Sequence, residues 1–488
     1  MNFSIIKRTI GWLLLFETVF LLVPLVTAAI YWESAFFSFL VTMAICGACG
    51  GLLLVGKPKN TSIFAKDGFV IVALCWIVMS LFGALPLYFS GSYPTYIDAL
   101  FETVSGFTTT GSSVLTGDKI QALPRSVHMW RSFTHWVGGM GVLVFIMAFL
   151  PLSGSRNLHL MQAESTGASV NKIVPKVRQS ALILYLIYSA MTVVQLIMLL
   201  CGGMPLFDAL NTAFATAGTG GFSIKSDGFA GYSPYLQVVT TVFMLVFSIN
   251  FTSYYLLGRG KWKEAFNAEV KGFLLIVFAA IAMIALNLCL TGALASDGQK
   301  YGIGEAIRHA AFTVASIIST TGFATEDFAN LWPVFSNVIL VLLMFIGACA
   351  GSTGGGMKVS RHIVLYKNAT REIKRLIHPK QIKPVSVDGR AVEKEVVRSI
   401  NAYLACFIAI FVLSFLVVSL EGHDFTSNFT AVATTLNNVG PGLGEVGPSG
   451  SFGGYSWWSK LTFIFDMLAG RLEIFPMLVL FSPATWRR

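Results

Sequence analysis

Apolar runs of about twenty residues recur along the whole chain, and they restrict its fold more than any other feature. A hydrocarbon core of about 30 Å is crossed by about 20 helical residues. The 488 residues are 55% hydrophobic and only 12% charged, which leaves too little polar surface for a soluble protein of this length. The runs predict a polytopic helical membrane protein with ten spans, at residues 11–31, 36–56, 69–89, 131–151, 181–201, 235–257, 271–292, 333–357 (interrupted), 399–420 and 457–482. The first run lacks a small-residue cleavage site and is interpreted as a retained span.

The distribution of positive charge predicts the orientation of these spans. Six segments would share one side of the membrane and carry 26 of the 34 lysines and arginines: 1–10, 57–66, 154–178, 258–271, 358–398 and 485–488. Because cytoplasmic loops are enriched in these residues, both termini are predicted to be cytoplasmic. The net charge of +10 then reflects topology and not nucleic-acid binding. The loop 358–398 alone holds eleven of the charges, which favours either contact with lipid headgroups or docking of a cytoplasmic partner.

Four glycine-containing segments align without gaps, and each lies between two predicted spans on the outer side. Their sequences are DALFETVSGFTTTGS (98–112), DALNTAFATAGTGGF (208–222), HAAFTVASIISTTGF (309–323) and SNFTAVATTLNNVGP (427–441). The aligned glycines are 110, 101 and 118 residues apart, so the repeating unit is about a hundred residues long. The repeat predicts an N-terminal two-helix hairpin (1–57), four span–pore helix–span repeats (58–153, 154–258, 259–358 and 398–488) and a basic cytoplasmic loop (359–397). The expected fold class is therefore an all-α integral membrane protein with pseudo-four-fold symmetry around one ion pathway.

The composition of the four segments is typical of a re-entrant selectivity filter. Backbone at membrane depth must hydrogen-bond internally or line water, and ten to thirteen apolar residues make a helix that descends about halfway. Glycine permits the returning chain to aim its carbonyl oxygens at a central axis, where four such segments replace the hydration shell of a cation. The predicted filter residues are Thr109, Thr110, Gly111, Ser112, Thr219, Gly220, Gly221, Phe222, Thr320, Thr321, Gly322, Phe323, Asn438, Val439, Gly440 and Pro441. The second segment, Thr219–Gly220–Gly221, has no hydroxyl residue directly before its last glycine; the first and third have Thr110 and Thr321 there, and the fourth has Val439, so the filter is expected to be only roughly four-fold.

A second glycine-rich stretch interrupts the eighth span at residues 347–356, GACAGSTGGG. Six glycines in ten residues predict an unwound segment, since each costs about 1 kcal/mol in a helix interior. Arg471 in the last span is expected at a similar depth, where an arginine costs at least about 2.5 kcal/mol. We therefore predict that this stretch plugs the pathway and that Arg471 opposes cations or holds the stretch; the alternative is a packed loop whose carbonyls Arg471 caps. The predicted gate residues are Gly347, Gly351, Ser352, Thr353, Gly354, Gly355, Gly356 and Arg471.

Other chemistries find little support in the sequence. Cys46 and Cys49 lie in an apolar run without the context of a redox motif, and the seven histidines show no metal-ligand spacing. The stretch GSTGGGMK lacks the lysine directly after its last glycine that a phosphate-binding loop needs, and residues 442–447 match GxGxxG without a preceding strand. No catalytic constellation is present, so the chain is not expected to be an enzyme or to hold a bound cofactor.

The four span–pore–span repeats with single filter glycines resemble the Trk/Ktr/HKT superfamily of potassium transporters. The extra N-terminal hairpin and three stretches narrow the resemblance to its TrkH/TrkG pore-forming subunits: GACAGSTGGGMK (347–358), TTLNNVGPGLG (434–444) and AGRLEIFPMLVLFSPATW (469–486). The resemblance implies potassium uptake across the bacterial inner membrane, with K+ as the transported ion and Rb+ or Na+ carried less well. It also implies a homodimer and a cytoplasmic nucleotide-binding regulatory ring similar to TrkA.

Two transport mechanisms stay open at this point. A gated pore needs only the filter and the glycine-rich plug, whereas a proton- or sodium-coupled symporter needs carboxylates as relays. Asp98, Glu102 and Asp208 are expected at the outer mouth, where they would concentrate cations. Asp466 and Glu473, which flank Arg471, are the candidate coupling groups.

Overall fold

A computed structural model describes residues 1–55, 65–141, 177–296, 298–379 and 384–486. The second half of the predicted fourth span and most of the basic segment 154–178 lie outside these residues. Lys380 and Lys383 of the basic loop also lie outside them.

The described chain is almost entirely helical. Its first half contains α1 (Phe3–Phe20), α2 (Leu22–Ile30), α3 (Ala35–Leu54), α4 (Ala65–Gly83), α5 (Leu85–Phe89), α6 (Tyr96–Phe107), α7 (Gly117–Gln121), α8 (Arg125–Gly139), α9 (Val177–Cys201), α10 (Leu206–Gly218), α11 (Pro234–Phe247) and α12 (Phe251–Gly258). Its second half contains α13 (Trp262–Ala265), α14 (Ala268–Thr291), α15 (Ile303–Ile318), α16 (Phe328–Leu331), α17 (Val334–Ile346), α18 (Val359–Ile377), α19 (Lys394–Val418), α20 (Phe425–Asn437), α21 (Trp457–Arg471), α22 (Phe475–Phe481) and α23 (Pro483–Trp486). Three 3-10 turns occur at Ser419–Glu421, Gly444–Val446 and Phe452–Gly454.

Within the described ranges, six helical stretches are long and apolar enough to cross a membrane: Phe3–Ile30, Ala35–Leu54, Lys66–Phe89, Gln179–Cys201, Ala268–Thr291 and Lys394–Glu421. A seventh results if α11 and α12, which meet at an angle of 91°, are counted as one span. These seven coincide with seven of the ten predicted spans. The count of ten stays a prediction, because the remaining three contain the shorter helices α8, α17 and α21.

The only sheet in the described residues is a two-residue hairpin in the basic loop. Strands β1 (Ser386–Val387) and β2 (Arg390–Ala391) pair antiparallel across Asp388 and Gly389, both of which have positive φ as a two-residue hairpin turn requires. The Asp388 carboxylate accepts a hydrogen bond from the backbone nitrogen of Ala268 at 2.9 Å, so the hairpin is tied to the start of α14.

The N-terminal helices α1 and α3 pack against each other through small residues. A Cβ on Gly11 would lie 3.1 Å from the carbonyl oxygen of Gly50, and a Cβ on Gly50 would lie 3.0 Å from that of Gly11. Small residues let membrane helices approach closely, since lipid gives no hydrophobic drive for association. The pair therefore forms the predicted hairpin in front of the repeated part of the chain.

Four short helices, α6, α10, α15 and α20, lie in the interior of the molecule. They contain 12, 13, 16 and 13 residues, which corresponds to about 18–24 Å and to roughly half a membrane. Side chains cap the N-termini of α6 and α20: Thr95 accepts from the backbone nitrogen of Asp98 at 3.1 Å, and Asp424 from that of Ser427 at 3.0 Å. These helices occupy the four segments that the sequence predicts to be re-entrant.

Each short helix is followed by a second helix that also stops early. Helices α8, α11, α17 and α21 contain 15, 14, 13 and 15 residues, about 20–22 Å each. The sequence predicts such a break only after α17. The predicted spans at 235–257 and 457–482 also contain a break that the sequence analysis did not identify, because α11 ends at Phe247 and α21 ends at Arg471. No run of glycines marks these two breaks, which tertiary contacts described below hold in place.

Glycines allow the short and second helices to cross with their backbones in contact. A Cβ on Gly138 in α8 would lie 1.8 Å from the carbonyl oxygen of Phe107, and a Cβ on Gly218 in α10 would lie 2.2 Å from that of His135. Only glycine fits at these crossings, because backbone atoms cannot move aside as a flexible side chain can.

We expect Gly138→Ala to destabilise the protein by about 2 kcal/mol, since overpacking of this kind costs roughly 1–3 kcal/mol and outweighs the gain of about 1 kcal/mol in helix propensity. The measurement is the thermal unfolding of detergent-purified protein. Gly304→Ala in α15 is the control, because nothing lies within 4 Å of its Cβ. Equal melting temperatures for the two variants would contradict the close crossing.

Candidate ion pathway

The four short helices all end in the same unusual backbone conformation. The residues Thr109, Thr219, Thr320 and Asn438 have φ angles of 58°, 58°, 60° and 55°. These are the four positions that the gapless alignment places in register. The left-handed region is unfavourable for residues with a Cβ, above all for β-branched threonine, so a shared cause must hold it in each copy.

Matching backbone hydrogen bonds hold this conformation in place. The nitrogen of each left-handed residue bonds three residues back: Thr109 to Gly106, Thr219 to Thr216, Thr320 to Ile317 and Asn438 to Thr435, at 3.1, 3.0, 3.0 and 3.3 Å. The nitrogen of the next residue bonds five back: Thr110 to Ser105, Gly220 to Ala215, Thr321 to Ser316 and Val439 to Thr434, at 2.9, 2.9, 2.8 and 2.9 Å. This pair of bonds defines the Schellman motif, in which glycine normally occupies the left-handed position. The motif turns the chain back sharply at the inner end of each short helix.

The glycines that follow lie next to one another in a closed ring. A Cβ on Gly111 would lie 2.4 Å from the nitrogen of Gly221, and one on Gly221 would lie 2.5 Å from the carbonyl oxygen of Thr321. A Cβ on Gly322 would lie 2.4 Å from the oxygen of Val439, and one on Gly440 would lie 2.8 Å from the oxygen of Thr110. Each segment thus contacts the next one in chain order, and the fourth returns to the first. The ring brings backbone atoms of all four segments together, among them the carbonyl oxygens of Thr110, Thr321 and Val439.

His135 explains why the second segment has glycine at position 220, where the first and third segments have threonine. A Cβ on Gly220 would lie 2.3 Å from Nδ1 of His135, so the imidazole occupies the space that a larger residue would need. The His135 ring also bridges two segments, because Nδ1 lies 2.8 Å from the carbonyl oxygen of Gly106 and Nε2 lies 3.4 Å from the nitrogen of Phe222. An amide N–H at Nε2 requires the neutral tautomer with hydrogen on Nδ1. Sequence analysis missed His135, since a lone histidine in an apolar helix carries no motif.

A cavity of about 580 Å³ opens at the ring. It is lined by Gly111, Gly221, Gly322 and Gly440, and its wall carries the carboxylates of Asp118, Asp227, Glu326 and Asp327. Carboxylates at such a mouth raise the local concentration of cations.

The three acids expected near the mouth do not line this cavity and bond to other side chains instead. Asp98 is ion-paired with Lys460 at 2.7 Å, Glu102 is ion-paired with Arg131 at 2.8 Å, and Asp208 accepts a hydrogen bond from Tyr232 at 2.9 Å. The sequence could not show these pairings, because most partners lie far apart in the chain.

The glycine-rich stretch at 347–356, which we call the glycine loop, lies directly beneath the ring. The nitrogen of Gly355 donates to Oγ1 of Thr320 at 2.6 Å, and a Cβ on Gly355 would lie 2.6 Å from the carbonyl oxygen of Asn437. At its neck, a Cβ on Gly347 would lie 2.8 Å from the Cα of Gly356. The predicted unwound segment is therefore present, and it touches the inner ends of two short helices.

The break between α11 and α12 holds the other side of the glycine loop. The nitrogen of Cys349 donates to the carbonyl oxygen of Ser248 at 3.1 Å, and the nitrogen of Phe251 donates to that of Gly351 at 3.1 Å. The hydroxyl of Thr353 donates to the oxygen of Phe247 at 3.1 Å. These bonds satisfy backbone groups that both broken helices leave free at membrane depth.

Arg471 joins the glycine loop to the first repeat. Its Nη1 donates to the carbonyl oxygen of Thr353 at 2.8 Å, and its Nη2 donates to those of Gly138 and Gly139 at 2.5 and 2.7 Å. The side chain is 7% exposed, so the guanidinium sits in the interior with its charge facing carbonyl dipoles. Arg471 thus bonds to the glycine loop, a contact that both the gate and the alternative of a packed loop capped by Arg471 require.

Charged side chains that the sequence analysis did not identify bind the glycine loop or lie next to it. The ammonium of Lys358 donates to the carbonyl oxygen of Gly354, and the carboxylate of Glu269 accepts from the nitrogen of Ala350 at 2.7 Å. Arg361 forms an ion pair with Glu473, directly after the break that ends α21. The sequence does not indicate these contacts, because no recognisable motif links residues that lie in different repeats or at two ends of a loop.

The candidate coupling acids of the last span have separate environments. Asp466 is fully buried and accepts a hydrogen bond from Ser414 in α19 at 2.7 Å. Glu473 follows the break that ends α21, has a φ of 54°, and pairs with Arg361. The two carboxylates thus have different partners, Ser414 and Arg361.

Known proteins resemble this chain over its full length. The model of the TrkH family, described as a cation transport protein, matches residues 35–488. The Trk system potassium uptake protein TrkH of Escherichia coli K12 is 35% identical over 494 residues, with 100% of both chains covered. The corresponding protein TrkG of the same organism is 33% identical and covers 99% of this chain and 98% of its own. The crystal structure of the potassium transporter TrkH from Vibrio parahaemolyticus superposes with a TM-score of 0.88 at 34% identity, again over 100% of both chains.

These similarities confirm the resemblance that the repeated segments and the glycine loop indicated. They also confirm that the protein is a transporter and not an enzyme. Taken with the ring of backbone carbonyls beneath an acidic mouth, they lead to one assignment. The chain belongs to the TrkH family of cation transport proteins.

Proposed function

We propose that this protein takes up potassium across the bacterial inner membrane through a channel-like filter that the glycine loop closes. The closed ring made by Gly111, Gly221, Gly322 and Gly440, with the glycine loop bonded to its underside, is the observation that carries this proposal. Potassium is the ion named for the E. coli and Vibrio relatives. K+ is then the transported ion, and the protein needs no cofactor.

In this proposal the sixteen predicted residues of the four segments act as the filter. Carbonyl oxygens in the ring replace the hydration shell of the ion, and the inner ends of the four short helices add negative partial charge at the same depth. The Schellman turns hold these carbonyls in position before an ion arrives. The second segment, with His135 in place of a hydroxyl, makes the ring only roughly four-fold.

The glycine loop and Arg471 act together as the gate. The glycine loop contacts Thr320 and Asn437 on one side and α11 on the other, and Arg471 ties it to Gly138. It thus has contacts in all four repeats, as a plug that crosses a central path would. Opening requires that these hydrogen bonds are exchanged for water in the widened path.

A coupled symporter is the second candidate, and the buried Asp466 is the observation that favours it. A fully buried carboxylate in a membrane span is typical of proton relays. Recording from planar bilayers with the purified protein distinguishes the two candidates. Ohmic single-channel currents would support the pore, whereas a fixed ratio of H+ or Na+ to K+ and no single-channel currents would support the symporter.

The proposal includes a regulatory partner and a defined topology. Both termini and the basic loop 359–397 face the cytoplasm, where a TrkA-like nucleotide-binding ring docks on a homodimer. In support of this, α18 begins directly after the glycine loop and carries the half-exposed or exposed cations Lys367, Arg371, Lys374 and Arg375. A partner bound to α18 would act on the glycine loop through Lys358, because this residue directly precedes α18.

Replacing the ring glycines by serine should lower the K+/Na+ permeability ratio about tenfold, because a Cβ would displace the neighbouring carbonyls that coordinate the ion. Gly221→Ser is the most informative of the four variants, since Gly221 does not have a positive φ and its substitution acts through contact alone. Gly260→Ser is the control, because Gly260 has a φ of +74° but nothing within 4 Å of its Cβ. An unchanged ratio in all four ring variants would rule out the filter assignment.

Arg471→Ala should raise basal potassium flux even without a partner. A unit charge about 4 Å from a passing cation costs about 4 kcal/mol at an effective dielectric constant of about 20, which corresponds to about a thousandfold in rate. Potassium flux into liposomes, normalised to folded protein, is the measurement, and Arg471→Lys serves as the control that keeps the charge. If Arg471 only braces the fold, Arg471→Ala will lower thermal stability with no rise in flux per folded molecule.

Neutralising Arg371, Lys374, Arg375 and Lys380 together should weaken association with the TrkA-like partner and reduce its dependence on salt. The first three lie on α18, and Lys380 follows it outside the described residues. Lys119 and Lys300 on the opposite side provide a control in which charge is removed far from the proposed docking surface. Co-purification at the wild-type level in both low and high salt would place the docking site elsewhere.

A further inference from the structure

A buried ion pair lies beside the outer part of the proposed filter. Nη2 of Arg131 in α8 lies 2.8 Å from Oε1 of Glu102 in α6, and Nε lies 2.9 Å from the same oxygen. The side chains are 2% and 0% exposed. A buried pair of this kind seldom adds net stability, because the loss of hydration offsets much of the attraction. Its presence at this place calls for another role.

Glu102 binds the extended segment that follows the ring glycine in the first repeat. Its carboxylate accepts from the hydroxyl of Ser113 at 2.9 Å and from the nitrogen of Val114 at 3.2 Å. Both residues follow Gly111 and Ser112 directly, so the carboxylate fixes the outer end of the first filter segment.

Arg131 binds the corresponding segment of the second repeat. Its guanidinium carbon lies 4.1 Å from the centre of the Phe222 ring, and its Nη1 lies 3.5 Å from the carbonyl oxygen of Ser223. Phe222 follows Gly221 in the ring. The ion pair therefore connects the outer ends of two neighbouring filter segments.

Arg131 also lines the outer cavity that the four ring glycines line. An uncompensated cation there would repel an approaching K+, and the Glu102 carboxylate cancels that charge at close range. The pair is thus a local charge balance as well as a structural link.

The pair is confined to the first repeat and is not a general requirement of the repeated fold. In the gapless alignment, the positions that match Glu102 are Thr212, Thr313 and Ala431. The other three segments adopt the same left-handed turn without a carboxylate at this position. A feature that three of four copies lack serves something other than the turn itself.

We propose that the Glu102–Arg131 ion pair sets the affinity with which potassium enters the filter. Arg131 positions the outer ends of the first two filter segments, and Glu102 neutralises the guanidinium that would otherwise repel the ion. This inference rests on the proposed potassium pathway and adds a specificity-determining pair to it.

The proposal is tested by the KM for potassium uptake of Glu102→Gln, Arg131→Gln and the double variant. A role in charge balance and a purely structural role predict different changes of this KM. Glu102→Gln should raise the KM for potassium about tenfold, since a unit positive charge within about 10 Å of the ion is then uncompensated at an effective dielectric constant of about 20. Arg131→Gln should leave the KM unchanged or lower it. The double variant should return the KM to within about twofold of the wild type, because no net charge remains.

The Asp98–Lys460 pair is the matched control. It is also buried, at 2.7 Å between Lys460 Nζ and Asp98 Oδ1, and neither residue lines the outer cavity. Asp98→Asn should therefore lower the amount of folded protein without a change in KM.

Two outcomes separate this inference from the proposed function. If Glu102→Gln and Arg131→Gln raise the KM by the same factor, or change only the amount of folded protein, the pair is a brace and the inference is wrong. In that case wild-type uptake and the loss of selectivity in Gly221→Ser would persist, and the proposed function would stand. If the wild type showed no potassium-dependent uptake, the proposed function would fail and the inference with it.

Discussion

The backbone of a chain that turns inside a membrane must bond to itself or face water, and the architecture of this protein follows from that requirement. Four short helices stop about halfway across, and each would leave carbonyl groups without partners at its inner end. The Schellman turns at Thr109, Thr219, Thr320 and Asn438 satisfy part of them within the chain. The segments that follow the turns meet in the ring, which is the cation site of the proposed function.

The left-handed residues show that this turn is maintained against a local cost. Glycine would adopt the conformation with less strain, yet three copies have threonine and one has asparagine. In one of the copies, Oγ1 of Thr219 donates to the neighbouring carbonyl oxygen of Gly218. In two further copies the side chain bonds to another part of the chain, which glycine could not do. Oγ1 of Thr320 accepts from Gly355, and Nδ2 of Asn438 donates to Thr110 and to the carbonyl oxygen of Met467. These bonds join the ring to the glycine loop beneath it and to the last span.

The glycine loop, in turn, completes structures that are incomplete on their own. The broken pair α11 and α12 leaves backbone groups at residues 247–251 that bond to the glycine loop, and Arg471 supplies donors to carbonyls of both Thr353 and Gly138. The glycine loop is therefore held by many bonds spread over different repeats. In the proposed function, a signal that reaches any one of these contacts acts on the same element.

The sequence by itself determined the membrane class, the register of the four segments and the presence of an unwound stretch near Arg471. Hydropathy, gapless repetition and the density of glycine are properties of contiguous residues, so they are readable without a fold. Only the tertiary structure decided the breaks that end α11 and α21, the position of His135 against Gly220, and the burial of Asp98 and Glu102 in ion pairs. Most of these depend on groups that lie tens to hundreds of residues apart in the chain, as Asp98 and Lys460 do. No local sequence pattern specifies which distant donor will bond to a given carboxylate or carbonyl. These contacts therefore depend on how the repeats pack against one another.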